Sequence, residues 1–596
     1  MKSIHYLSFL ALVITLFTSC EEFLDKTPSA MISEKDVFST YESFQGFFDP
    51  NYQEVINYNS HYMSTTMNIG GENYSYLGWS VTLYAYNGDY WKISGISDAS
   101  TSVFISSEPG YGQSGSGSGV WTGGWRGIRR CNMALNKLPL LTDATSEEIQ
   151  LIKGQIYFFR AYYHQQIIEA FGGMPYIDTL LNVSEPNHLP RPPYNEVVEK
   201  IVADYDRAIA LLPKDWDETA YGAKAPTTNV GRATKGTALA YKAKCLLYAA
   251  SPLMNNVVGN GYVYNVEYAK RAAAAGWEFI STLVPKYYDL VPWSNYSDMF
   301  YKQDGTMPWT KETIWQKVRR NYGSGEYSSP LARQVCFPRL GGKYCETTNQ
   351  TFVDKFEMAD GTRYKVEYDS DNAKRWDYRD PRFRKALYVD KDQQGLSPLT
   401  VIRMYVGSGS DKGTTQKIAL PYIHHKYWPA GCNSIDKIYN NYRFVNPLMR
   451  LAEVYLDYAE AVTAAYGADG KAPGATLSAV NAINIVRARA GMPPTSEATA
   501  IANGYKSFME QIWNERTVEL CFEGHWWFDQ RRWHIGHLPE NLPCIDLEFD
   551  KNWTPTSFKR VLFKTRVFED PKHYWLPIPK NLVQQYPEMT QNPGWD

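Results

Sequence analysis

Hydrophobic and polar positions follow two regimes along this chain. In the first, apolar residues recur every three or four positions, the spacing that places them on one face of an α-helix. Thr145-x-x-Glu148 opens such a run. A threonine hydroxyl and a glutamate carboxylate three residues apart can each accept an N–H at the start of a helix, which makes a capping box. Ile149, Ile152, Ile156, Phe159, Tyr163 and Ile167 then share a face, and Gly172-Gly173 supplies the stop. A second run starts at about 195 with Val198, Ile201, Val202, Tyr205, Ile209 and Leu212, and Pro213 halts it. A third, about 233–250, carries Ala238, Tyr241, Cys245 and Tyr248 and stops at Ser251-Pro252. The same spacing predicts helices at about 266–283, 447–465, 477–490 and 505–522. Small residues recur on these faces: Ala238, Ala240 and Ala243, then Ala272 to Ala275, then Ala452, Ala459 and Ala461. Alanine opposite spaced aromatics lets helices stack closely, as in tetratricopeptide-type solenoids, although no clean repeat period is visible. A generic helical bundle would show the same faces, so periodicity alone leaves both open.

In the second regime, at about 52–125, 285–445 and 523–596, no helical pattern holds. These stretches are rich in Tyr, Trp, Gly, Asn and Ser, with Gly and Ser alternating in 110–124. Loops this long in a folded chain are usually functional. Composition sharpens that reading. Of 596 residues, 45 are Tyr, 18 Trp and 25 Phe, an aromatic share of 15%. Tyrosine joins an apolar ring to a polar tip, so an excess of it suits wet contact surfaces as well as core. A hydrophobic share of 44% excludes a disordered chain. Lys and Arg number 61 against 63 Asp and Glu, with no concentrated basic run, which argues against a nucleic-acid partner.

The N-terminus reads as an export signal. Lys2 precedes a mostly apolar run from Tyr6 to Phe17, too short to span a bilayer, and then Thr18-Ser19-Cys20. A cysteine after small residues is the pattern of a bacterial lipobox, with Cys20 the acylated residue and acyl chains the membrane anchor. Glu21-Glu22 adds a weaker hint of surface export. The other seven cysteines show no C-x-x-C spacing, which argues against a zinc site and a full disulfide framework; most are expected to be buried small apolar residues.

A set of motifs then occurs in a telling order. Cys20-Glu-Glu-Phe-Leu-Asp25 is followed by Phe158-Phe-Arg-Ala-Tyr-Tyr163 with Phe171-Gly-Gly-Met-Pro175, Gly231-Arg-Ala-Thr-Lys-Gly236, Leu246-Leu-Tyr-Ala-Ala-Ser-Pro252 and Asp380-Pro-Arg-Phe383. The C-terminal half adds Leu451-Ala-Glu-Val-Tyr-Leu456, Tyr458-Ala-Glu-Ala461, Val486-Arg-Ala-Arg-Ala-Gly-Met492, Glu515-Arg516, Glu519, Phe522-Glu-Gly524, Phe528-Asp529, Arg531-Arg-Trp533, Leu576-Pro-Ile-Pro579 and Gln591-Asn-Pro-Gly-Trp595. Together these resemble the SusD/RagB family of outer-membrane nutrient-binding lipoproteins over nearly the whole chain. The resemblance implies a mainly α fold: a tetratricopeptide-like scaffold of about four helix pairs, with long irregular loops and a few short strands on one side. It implies a lipid anchor at Cys20, a place on the outer membrane facing the exterior, a SusC-like TonB-dependent transporter as partner, an oligo- or polysaccharide ligand, and no catalysis or cofactor. The expected organisation is a signal peptide at 1–19 and one domain at 20–596. Within it, helical repeats fall at about 34–50, 127–283 and 447–522, ligand-binding insertions at about 52–125 and 285–445, and a C-terminal segment at 523–596.

A pyranose offers an apolar C–H face to an aromatic ring and a rim of hydroxyls to polar side chains. The densest such segment is 60–125. From it Trp79, Tyr90 and Trp91 are the expected stacking rings, with Glu72 and Asn73 as hydroxyl partners. By position in the resemblance, Arg319, Tyr322, Tyr327 and Tyr344 form a second contribution. A peptide binder of the same architecture would use the same residue types. A secreted glycoside hydrolase would need two convergent carboxylates in that cleft, and Glu72 alone cannot supply both. Glu515, Glu519 and Glu523 sit at i,i+4 spacing beside arginines and read as structural ion pairs. His424-His425 has no third ligand at metal spacing and reads as ordinary loop histidines, so no metal is expected.

Overall fold

The computed structural model describes residues 34–55, 70–74, 81–93, 119–182, 189–317, 338–340, 347–396, 399–413, 418–433, 435–436 and 442–595. Cys20 and the leader lie outside them. After a short helix α1 (Tyr41–Phe48), the eight longest helices among the described residues are α2 (Val120–Lys137), α3 (Ser146–Phe171), α4 (Tyr194–Leu211), α5 (Lys235–Ala250), α6 (Val266–Leu283), α7 (Leu451–Tyr466), α8 (Ala479–Arg489) and α9 (Phe508–Glu519). Each of α2 to α7 packs on the next, α8 packs on α7, and α9 packs on α7 and α8, so the described helices form four antiparallel-type pairs in a stack. The fold is a tetratricopeptide-like helical scaffold. A shorter helix α10 (Trp526–Arg532) follows α9. Among the described residues no helix is long and apolar enough to cross a membrane.

The expected helix signals act where they stand. Thr145 and Glu148 close the capping box reciprocally, the Thr145 hydroxyl accepting from the Glu148 N–H at 3.2 Å and the Glu148 carboxylate accepting from the Thr145 N–H at 2.9 Å. Gly172 takes φ +78 at the end of α3, a conformation a side chain would resist. From Phe158 onward every residue of α3 is buried, because α2 and α4 cover it on two sides. Two boundaries differ from the periodicity. Residues 120–125, expected as loop, form the start of α2, and Gly124 and Gly127 let this helix approach α3. Residues 447–450, expected as the first turn of α7, are a strand.

The loop side carries the strands, among them β1 (Asn73–Tyr74), β2 (Thr313–Gln316), β3 (Thr347–Thr348), β4 (Leu387–Tyr388), β5 (Tyr422–His424), β6 (Pro447–Arg450), β7 (Pro543–Glu548) and β8 (Lys559–Thr565). A four-stranded sheet runs in the order β1-β3-β5-β4, β6 pairs with β2, and β7 with β8. The helices and the loop layer each enclose a hydrophobic core. Trp315 of β2 seats its ring among Phe158, Phe159, Tyr162 and Tyr241 of α3 and α5 in the first. Trp376, Phe383, Tyr422 and Trp428 belong to the second. The segment 512–533 feeds both: Ile512, Trp527 and Phe528 enter the helical core, and Val518, Phe522, Trp526 and Trp533 the loop core.

Candidate ligand-binding face

The sheet brings the two candidate segments to one place. β1 pairs antiparallel with β3, Tyr74 opposite Thr347 and Asn73 opposite Thr348. In an antiparallel pair the chain leaving Tyr74 and the chain arriving at Thr347 are at the same end. The segment holding Trp79 therefore departs beside the point where the segment holding Tyr344 arrives. Trp79, Arg319, Tyr322, Tyr327 and Tyr344 themselves lie outside the described residues.

Three of the expected ligand contacts are framework instead. Asn73 has no exposed surface, and its Oδ1 accepts from the Thr348 hydroxyl at 2.8 Å and lies 2.9 Å from His424 Nε2. Its amide oxygen is spent on tying β1 to β3 and β5. Glu72 is 1% exposed, and neither carboxyl oxygen has a hydrogen-bond partner. Burial pushes its pKa well above its ordinary value near 4.5, countered only in part by its own backbone N–H and the Arg566 guanidinium. Its backbone carbonyl accepts from the Asn349 amide at 3.1 Å. Tyr90 is buried against His573, with ring centroids 4.6 Å apart, and against Trp527, and its hydroxyl accepts from Arg531 at 3.2 Å. A sugar cannot stack on it without displacing those rings. Trp91 is different. It is half-buried, edge-on to Trp595 at 5.4 Å, with the Lys580 ammonium 4.9 Å from its ring centre. Of the expected stacking rings that are described, Trp91 alone keeps accessible surface. Trp121 and Trp125, which the sequence groups with the same segment, lie on α2 and meet Phe171 and His164 edge-on.

The acidic motif residues are buried ion pairs. Glu519 receives Arg382 at 3.0 Å, Arg450 at 2.7 Å and also Arg489. Glu515 receives Arg382 at 2.5 Å and Arg487 at 2.8 Å, and Glu523 receives Arg450 at 2.8 Å and Lys426 at 2.7 Å. Burial raises the Glu519 pKa, but the three guanidiniums outweigh it and hold the carboxyl well below its ordinary range. A second knot joins Arg516 to Asp457 and Asp529, and Arg532 to Asp529 and Glu460. The cationic partners of Glu519, Glu523 and Glu460 outweigh burial and hold these carboxyls on the charged side, whereas burial raises Asp457 to about 7.

The histidine pair also has structural work. His424 is a strand residue, correcting its assignment to a loop, and burial lowers its pKa to about 3. His425 stacks on Tyr388 with centroids 4.1 Å apart. The described cysteines 131, 245, 432, 521 and 544 are all buried and none of them is in a disulfide. One chemically capable cluster was not singled out by the sequence: His534, His537 and Asp570 bring one ligand atom each to within 4.8 Å of one another. His534-x-x-His537 was visible as a spacing, but the carboxylate comes from a later segment and joins them only through the fold.

A stack of helix pairs with a strand-and-loop layer on one side defines a class, and the comparisons agree with it. A family model described as "SusD family" matches residues 311–595, and one described as "Starch-binding associating with outer membrane" matches 22–247. The chain is similar to SusD-like protein P2 of Formosa agariphila, 24% identical across 99% of each chain, and to SusD-like protein P25 of the same organism, 22% identical across 99% of this chain and 98% of that one. Among solved structures, a SusD-like carbohydrate binding protein from Bacteroides fragilis superposes with a TM-score of 0.68 at 20% identity, over 93% of this chain and 99% of that one. A laminarin binding SusD-like protein gives 0.57 at 19%, over 94% of this chain and all of the other. The chain belongs to the SusD/RagB family of outer-membrane-associated proteins.

Proposed function

We propose that this chain is a non-catalytic surface lipoprotein, acylated at Cys20, that binds an oligo- or polysaccharide and passes it to a SusC-like TonB-dependent transporter. The observation that carries the ligand face is the β1–β3 pairing. It brings the chain that leaves Tyr74 and the chain that arrives at Thr347 to one end of one strand pair, and on this reading Trp79 and Tyr344 contribute to a single face. Arg319, Tyr322 and Tyr327 precede β3 and belong to the same proposal, as does the half-buried ring of Trp91. Similarity to proteins described as carbohydrate binding and laminarin binding, and to a family described as starch-binding, supports a glycan over a peptide. The commitment of Glu515, Glu519 and Glu523 to arginine and lysine supports the absence of hydrolysis. Residues 20–596 act as one domain on this reading.

Glycan binding by titration calorimetry tests it, with laminarin and starch oligosaccharides as first probes. Trp79→Ala and Trp91→Ala should each weaken binding, Trp79 the more, by about 1–3 kcal/mol for a lost stacking ring. Incubation with the same glycans should release no reducing ends. Unchanged affinity in both variants would reject this face.

A further inference from the structure

We propose that His534, His537 and Asp570 form a binding site for one divalent transition-metal ion of the zinc class. The two histidines lie on the turn that follows α10, and Asp570 comes from the segment after β8. Their ligand atoms fall within 4.8 Å of one another. His534 Nε2 stands 3.2 Å from Asp570 Oδ2. Ligands about 2.0–2.1 Å from a tetrahedral ion stand roughly 3.3 Å apart, so this edge already has the separation a shared ion requires.

His534 Nε2 is buried and faces the Asp570 carboxylate at a distance long for a charge-assisted hydrogen bond. An ion between the two would use a lone pair from each. The surroundings fix the ligands rather than compete with them. Tyr262 stacks flat on the His534 ring, centroids 3.5 Å apart and 8° from parallel. The Tyr574 hydroxyl bonds Nδ1 of His537 and so sets the orientation of that ring, the kind of outer contact that holds metal-binding histidines. His534 itself sits at φ +57, a conformation that only surrounding structure maintains.

Two imidazoles and one carboxylate are borderline donors, suited to Zn²⁺ and its neighbours and poorly suited to Ca²⁺ or Mg²⁺, which take oxygen sets. The Asp570 side chain is one-third exposed, so the open side of the site faces solvent and a fourth position is left for water or an outside ligand. The ion would staple the chain after α10 to the segment after β8.

The full-length chain, purified in detergent without a polyhistidine tag and stripped with EDTA, should be titrated with ZnCl2 and with CoCl2. One Zn²⁺ per chain is expected, along with Co²⁺ absorption bands of four-coordinate intensity. His537→Ala and Asp570→Asn should each weaken binding at least about tenfold. Asp570 is surface-placed, so Asp570→Asn decides the matter if a histidine variant fails to fold. No zinc above the stripped baseline would overturn the site, leaving His534 and Asp570 as an ordinary ion pair. So would binding of wild-type strength and Co²⁺ spectrum in Asp570→Asn.

Discussion

Glu72 holds its carboxyl where neither oxygen has a donor, and Gly70 leaves the space for it: a Cβ at that glycine would stand 2.2 Å from Glu72 Oε2. Burial raises this acid above its ordinary value near 4.5, so the folded chain holds the proton to a higher pH than the unfolded chain does. The folded pKa is the higher one, so the unfolded state gains from ionisation as pH climbs past about 4.5, and stability falls in that direction. Glu72→Gln mimics the neutral acid and removes the penalty. Its melting temperature should match wild type at about pH 4 and exceed it increasingly toward about pH 7.5, as read by thermal denaturation across pH. An unchanged difference between the two ends would mean that the carboxyl is ionised in the fold. In the sequence Glu72 and Asn73 look like sugar partners, because polar residues among aromatics suit a sugar site. Their true surroundings are Thr348, Asn349 and His424, supplied by chain more than two hundred residues away, and no local pattern carries that pairing.

At the level of elements, legibility followed the local chemistry. Helices with a cap, an apolar face and a Pro or Gly stop were readable almost to the residue: 266–283 was expected and Val266–Leu283 is found. The start of α2 was not, because glycine lowers helix propensity and reads as loop. Its glycines are explained by packing. A Cβ on Gly127 would stand 2.3 Å from Cε2 of Tyr163, and one on Gly124 3.0 Å from Ile167. Gly127→Ala should therefore destabilise. The overpacking cost of about 1–3 kcal/mol exceeds the propensity gain of about 1 kcal/mol. Gly46 on α1 is the control: it is exposed, with nothing within 4 Å of its Cβ position, so Gly46→Ala should gain up to about 1 kcal/mol. Urea denaturation of the two variants should shift in opposite directions. If both stabilise, close packing is not what requires glycine in α2. Strand β6 was missed for a different reason, since residues 447–450 continue the apolar pattern of α7 and only their pairing with β2 extends them.

For the whole molecule the question is what makes a helical stack and a loop layer one cooperative body. The segment 512–533 feeds apolar side chains into both cores, and beside it lies Arg450, at the junction of β6 and α7. Its guanidinium bonds Glu312 at 2.9 Å, Glu519 at 2.7 Å and Glu523 at 2.8 Å, and it is 1% exposed. Glu312 precedes β2 in the loop layer, whereas Glu519 ends α9, so one cation joins groups from both layers. Burying charges is unfavourable in itself, and a pair of this kind adds little over an apolar substitute. Breaking one is another matter: without Arg450 the three carboxylates lose a shared counter-charge in a site that water cannot reach. Arg450→Met keeps the volume and removes the charge, and should cost about 3–5 kcal/mol. Because the carboxylates left behind belong to both layers, the loss should lower one shared transition and leave its cooperativity intact. Calorimetry decides this. A single peak at lower temperature is the expected result, whereas a split into two peaks would show that the loop layer and the helical stack unfold independently and that Arg450 merely bridges them.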